Sequence, residues 1–179
     1  VDSQAIIDFW FNELDPSQWW VKSEQVDQLI RERFSDIHHD ACEGALFHWR
    51  KTATGRLAEI IVLDQFSRNI YRDTPRAFTH DAMALVLAQE AIGIGADLVL
   101  APQQKAFLYM PFMHSESLLI HNIAVQLFSA EGVETNLDFE QRHRDIIERF
   151  GRYPHRNRIL GRESTPEEIT FLEKPGSHF

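Results

Sequence analysis

Three groups of residues in this 179-residue chain have side chains whose types and spacing could do chemistry. The first lies in the run 57–72. At ~100° per residue, Leu57, Ile61, Asp64, Arg68 and Arg72 share one helix stripe about 80° wide. The stripe begins apolar and becomes charged, while Ile60, Val62, Leu63 and Phe66 occupy most of the remaining circumference, so the helix carrying the charges should itself be buried. A carboxylate and a guanidinium four residues apart can pair, and either one left alone in the interior would cost several kcal/mol. The stripe therefore reads either as an internal ion pair that fixes helix packing or as the charged floor of a ligand pocket.

The second group, Met113-His114-Ser115-Glu116, puts an imidazole and a carboxylate two apart, just before an expected helix start. Backbone N–H groups there favour anions, and Ser115 or Glu116 reads as the helix cap. No HExxH and no Cys/His pairing accompanies the motif, so no metal is expected. The third is FGRYPHRNRILGR at 150–162, where Arg152, His155, Arg156 and Asn157 crowd a turn set by Gly151 and Pro154. His143 falls on the apolar stripe of the preceding helix, among Phe139, Ile146, Ile147 and Phe150. It reads as a hydrogen-bonded core histidine or as a proton carrier, because an unperturbed imidazole titrates near pH ~6.5. His121 stands similarly between Ala124, Val125 and Phe128, and Asn122 and Gln126 read as buried amides bonding a neighbouring helix. No P-loop, GxGxxG, nucleophile elbow or Ser–His–Asp spacing is present, and no catalytic residue is assigned.

Charge narrows the classes. The net charge of −9 disfavours a general nucleic-acid binder, which must neutralise phosphates. Residues 142–162 hold seven arginines against Asp145 and Glu148, a local +5 that leaves −14 for the rest of the chain. Fourteen of the eighteen basic residues are arginine, whose planar fork suits carboxylates and phosphates.

The elements that must position these groups read as helices throughout, with no period-two strand. Ser3 caps a helix bearing Ile6, Ile7, Trp10 and Phe11 that ends at Asp15-Pro16; Ser23 opens a second with Val26, Leu29, Ile30 and Phe34 on one face. Thr54 precedes the helix over 56–71, and Thr79 caps one reaching 92, closed by Gly93 and Gly95. Pro102 starts a helix that Pro111 bends or stops. Ser117 begins a helix to 130, and another over 138–150 ends at Gly151. Thr165-Pro166-Glu167-Glu168 is a capping-box start. About eight helices in antiparallel pairs, forming a single domain over 1–179, are expected. The one cysteine, Cys42, allows no intramolecular disulfide and suits a reducing compartment. With no basic-then-apolar leader and no run of ~18 apolar residues, the expectation is a cytoplasmic protein with no membrane span.

The strings LDQFSRNIYR (63–72), MPFMHSE (110–116) and FGRYPHRNRILGRESTPEE (150–168), with DFWF at 8–11 and Trp49, resemble the bacterial family called domain of unknown function 924. The resemblance covers essentially the whole chain. It implies an all-α, tetratricopeptide-like helical stack and no established activity. The matching positions are Asp64, Gln65, Arg68, Asn69, Arg72, His114, Glu116, Arg152, His155, Arg156, Asn157 and Arg162. Ser67 stands where a proline is common, and His121 replaces a glutamine.

The candidate ligand-binding set is Asp64, Arg68, Arg72, His114, Glu116, His143, Arg152, His155, Arg156 and Asn157. The leading expectation is a small anionic molecule held by Arg68, Arg72, Arg152 and Arg156. Asp64 would orient an arginine, and His114, His143 or His155 would carry a proton. Hydrolase and transferase chemistry both stay open, with no cofactor expected. A peptide- or protein-binding module is the alternative, by analogy of fold alone; a purely structural role is another. Asp64 and Arg68 should be buried and bonded to each other or to the arginine-rich segment. Only Asp64 and Glu116 are in view to compensate the clustered guanidinium groups.

Overall fold

The computed structural model describes Val1–Phe179. It is all-helical, with 74% of residues in helices and no strand, and no helix is long and apolar enough to cross a membrane. The first eight α-helices are α1 (Ser3–Asp8), α2 (Glu24–Cys42), α3 (Ala53–Ile61), α4 (Ser67–Ile70), α5 (Asp81–Gly93), α6 (Pro102–His114), α7 (Leu118–Phe128) and α8 (Leu137–Phe150). The short α9 (Asn157–Leu160) and α10 (Pro166–Leu172) follow. Contacts run largely in chain order: α3 lies against α1, α5 and α6, α2 against α4, and α6, α7 and α8 pack one on the next.

α3 is the axis of the core. Leu57, Ala58, Ile60 and Ile61 are fully buried, each Leu or Ile contributing about 1.5–3 kcal/mol of burial. Phe9, Trp10, Phe34, Phe66 and Phe107 pack around this axis, with Phe34 stacked on Phe66 at 5.1 Å. Glu59, on the same helix, is paired in two bonds (2.8 and 2.7 Å) with Arg50. The helix begins at Thr52 rather than Thr54: the Thr52 hydroxyl accepts from Gly55 N. A Cβ at position 55 would stand 2.0 Å from the Trp49 carbonyl oxygen, so only glycine lets α3 start this close to the preceding turn.

Two π turns interrupt the regular helices, Phe9–Glu13 after α1 and Val62–Phe66 between α3 and α4. Such turns cluster at functional sites, and the second carries Asp64 and Gln65. A regular 100° wheel misses it.

Other boundaries differ for local reasons. Asp2 rather than Ser3 caps α1. Thr79 gives its hydroxyl back to the Pro75 carbonyl and so cannot cap α5, which starts after His80. Pro111 does not end α6, which continues to His114. Residues 106–113 are all buried, and that packing holds the helix through the missing N–H. On α7 only one face is covered, by His121, Ala124 and Phe128; Asn122 and Gln126 are exposed, contrary to the buried-amide expectation. Ser23, Pro102, Ser117, Gly151 and the Thr165 capping box stand where the sequence put them.

Candidate functional site

α8, the 150–162 segment and the end of α6 meet the charged end of the α3–α4 run and the start of α2. Between them lies a cavity of about 250 Å³. Its polar lining includes Gln65, Arg68, Arg72, His114 and Arg156, with Trp10, Trp19, Trp20 and Phe78 forming an apolar wall. Segments far apart in the chain therefore share one site.

At the back of this cavity, His114 Nδ1 lies 2.8 Å from Asp64 Oδ1. Asp64 is 1% exposed, and its second oxygen accepts from Gln65 Nε2 at 3.0 Å. A carboxylate can only accept, so Nδ1 carries the proton and donates it. Burial opposes ionisation of Asp64, but His114 and Arg68 outweigh it and hold the carboxyl below its ordinary range. Burial, helped by the Arg68 charge, pushes the His114 imidazole down. The ring is thus neutral at neutral pH. Nε2 makes no bond within the chain and is not sealed from the cavity, so it is a free, oriented base.

Arg68 keeps the expected i,i+4 pair with Asp64 but is bonded more closely to a second carboxylate. Its guanidinium makes two bonds (2.8 and 3.0 Å) to Asp81, the first residue of α5, while the Asp64 carboxylate is 3.7 Å away. Arg68 also donates to the Asp64 main-chain carbonyl at 2.9 Å. Burial weakens the Arg68 charge less than Asp81 and Asp64 strengthen it, and its pKa rises.

Arg156 is held more loosely. It donates to the His114 carbonyl at 3.0 Å and lies 3.8 and 3.9 Å from Asp81 and Glu116. Its Nε is buried with no partner in the protein. The rings of Phe78 (4.6 Å) and Tyr153 (4.7 Å) flank the guanidinium. Burial and the neighbouring Arg68 lower its pKa.

Much of the other local positive charge is already matched inside the chain. Arg72 is bonded twice to buried Asp27 (2.5 and 2.8 Å), which also takes Asn69 Nδ2 at 2.8 Å. Arg152 grips Glu168, and Asn157 Nδ2 reaches the same carboxylate at 3.3 Å. Glu116 does not cap α7; it takes Tyr153 N at 2.6 Å and both ends of the Arg162 fork. The compensation expected from Asp64 and Glu116 alone is thus supplied more fully by Asp27, Asp81 and Glu168. Of the ten candidates, Arg68, Arg72, His114, His143, His155 and Arg156 line the cavity. Asp64 stands behind His114, while Glu116, Arg152 and Asn157 buttress the 150–162 turn from outside it.

His143 Nδ1 donates to the Phe139 carbonyl at 2.6 Å, which is the core-histidine bond expected from its place on α8. The buried face of α8 is centred on His143 itself, with Glu140, Ile146 and Ile147 beside it; Phe139 is 51% exposed. Burial pushes His143 and His155 down to about 3. His121 Nδ1 faces both oxygens of buried Glu140, at 3.0 and 2.8 Å, and its Nε2 donates to the Ser115 carbonyl at 2.6 Å. The hydroxyl of Tyr153 donates to the Met113 carbonyl and lies 3.1 Å from the same Nε2. This network pins the turn after α6 and so fixes where His114 sits.

Asp27, Asp81, Glu140 and Tyr153 were not among the candidates. Asp27 shares the buried stripe of Ile30 and Phe34, a signal of the kind that picked out Asp64. Asp81 looks from sequence like an ordinary acidic first-turn residue.

The family profile described as "Bacterial protein of unknown function (DUF924)" matches residues 6–176. A solved structure titled as a protein of unknown function, ATU0120, from Agrobacterium tumefaciens is similar. It is 38% identical, with a TM-score of 0.90 and 96% of each chain covered. Comparison with curated proteins gives no match. With the profile running almost end to end and the shared fold covering nearly all of both chains, this protein belongs to the bacterial DUF924 family.

Proposed function

We propose that this protein binds a small anionic molecule in the cavity and that His114 moves a proton on it. The observation that carries the reading is Arg156: a guanidinium on the cavity wall whose Nη1 makes no hydrogen bond within the chain, its nearest carboxylates standing 3.8 and 3.9 Å away. A charged donor left without a close partner costs about 1–3 kcal/mol or more once desolvated, and an anionic oxygen in the cavity supplies the missing bond. The neutral Nε2 of His114 belongs to the residue whose carbonyl Arg156 already holds, so an anion on Arg156 comes close to a base.

No serine, threonine or cysteine lines the cavity. The Tyr153 hydroxyl is committed to the Met113 carbonyl, so His114 would act on water or on the bound molecule itself. That favours hydrolysis or proton abstraction over transfer through a covalent serine or cysteine intermediate. The free thiol of Cys42 accords with a cytoplasmic setting. The competing role, peptide or protein binding, calls for a longer open groove than a cavity of about 250 Å³.

Thermal unfolding with added inorganic phosphate or acetate tests the binding. At ten times Kd the expected stabilisation is about 1.4 kcal/mol, or ~3–6 °C in Tm. Arg156→Ala should lose the shift, and the exposed-residue control Gln25→Ala should keep it. Equal shifts in wild type and Arg156→Ala would make the effect nonspecific salt and return the peptide-binding reading to first place.

A further inference from the structure

We infer that the face shared by His143, Tyr153 and His155 is a subsite for a flat aromatic ring, so that the anion held by Arg156 belongs to a small aromatic acid. The inference rests on the anion reading of the cavity.

The chain shows this subsite with one of its own side chains in it. The phenyl ring of Phe179 lies against the His143 imidazole, centroids 3.8 Å apart and planes 32° apart, and 6.1 Å from the His155 ring. Tyr153 completes the slot, 5.7 Å from His143 and 5.6 Å from His155. Such offset and tilted arrangements are those preferred between aromatic rings. Burial holds both histidines neutral, so the slot presents uncharged ring faces.

Phe179 does not belong to the built core: it remains 44% exposed. The segment is anchored two residues earlier. Gly176, at φ +78°, turns the chain after α10, and Ser177, 1% exposed, donates its hydroxyl to the Leu172 carbonyl at 3.2 Å. Beyond that anchor Phe179 meets the body through its ring. A ligand ring can take its place without disturbing the anchor.

Tyr153 also links the slot to the charge. The Arg156 guanidinium lies 4.7 Å from the Tyr153 ring, so the ring slot and the anion-holding group are both neighbours of one side chain. A carboxylate borne on an aromatic ring presents those two groups together.

Benzoate, acetate and inorganic phosphate are the probes, followed by calorimetry and by fluorescence of Trp10, Trp19 and Trp20, which line the cavity. Phe179→Ala should bind benzoate about three- to tenfold more tightly than wild type, the effect of removing one competing ring contact. Acetate affinity should be unchanged, and His143→Ala should abolish the preference for benzoate. Equal affinities for benzoate and acetate in both proteins, or weaker benzoate binding by Phe179→Ala, would overturn the inference and leave the anion reading standing. Failure of all three anions to bind would remove both.

Discussion

His114 and Asp64 lie fifty residues apart in the chain and share one hydrogen bond of 2.8 Å, which sets the tautomer of the imidazole. The proton sits on Nδ1 because Asp64 can only accept, and Nε2 is left to the cavity. The bond exists because a π turn presents Asp64 to the last residue of α6, a helix that runs unbroken through Pro111.

Loss of that carboxylate should be costly. Asp64→Ala leaves Arg68 without one of its two acidic neighbours and the His114 N–H without an acceptor. Urea unfolding should show a loss of ~3 kcal/mol or more, the range for breaking a buried charged pair. A change near ~0.5 kcal/mol, as at a surface site, would contradict the buried role given to Asp64.

The partnership of Arg68 with Asp81 predicts energetic coupling between α4 and α5. A double-mutant cycle of Arg68→Met and Asp81→Asn should give an interaction energy of about 1–3 kcal/mol. The matching cycle with Asp64→Asn should give a smaller value, because that carboxylate is 3.7 Å from the guanidinium and is bonded to other donors. The reverse order would make the i,i+4 pair suggested by the sequence the stronger one.

Stability should fall with acidity before the carboxylates titrate. His143 and His155 are pushed by burial down to about 3, and His38, buried and near the charges of His80 and Arg76, down to about 4. In the unfolded chain each takes up a proton near pH ~6.5. Between those values the unfolded state binds more protons, so stability is fully present above pH ~6.5 and is lost as pH falls, by up to ~1.4 kcal/mol per pH unit for each histidine. Urea midpoints should drop from pH 7 to pH 5, and His143→Phe should show a shallower slope. A flat profile over that window would mean these rings are solvated.

The helical class and many starts and stops were legible in the sequence because capping and apolar periodicity are local. Ser23, Pro102, Gly151 and Thr165 act on their own turns. The candidate site was legible only where one polar residue interrupts a buried stripe, as Asp64 and His143 do. What stayed hidden was pairing between distant elements. Nothing in the residues around Arg72 names Asp27, and nothing near Arg68 names Asp81, because those partners are chosen by helix packing. The π turn at Val62–Phe66 has no cap residue to announce it. The surplus charge of 142–162 is met by Glu116 and Glu168 from outside the segment, and of these two only Glu116 is marked out by the sequence.

The most direct measurement is the nitrogen resonance of His114 in protein labelled with ¹⁵N-histidine, assigned by its loss in His114→Gln. At pH 7 the ring should be neutral with Nδ1 protonated and Nε2 bare, and the Nε2 shift should move in a saturable way as benzoate or phosphate is added. In Arg156→Ala the tautomer should persist and the titration should vanish. An Nε2-protonated ring, or an Nε2 signal indifferent to anions at saturating concentration, would contradict the assignment of this cavity as an anion site with His114 as its base.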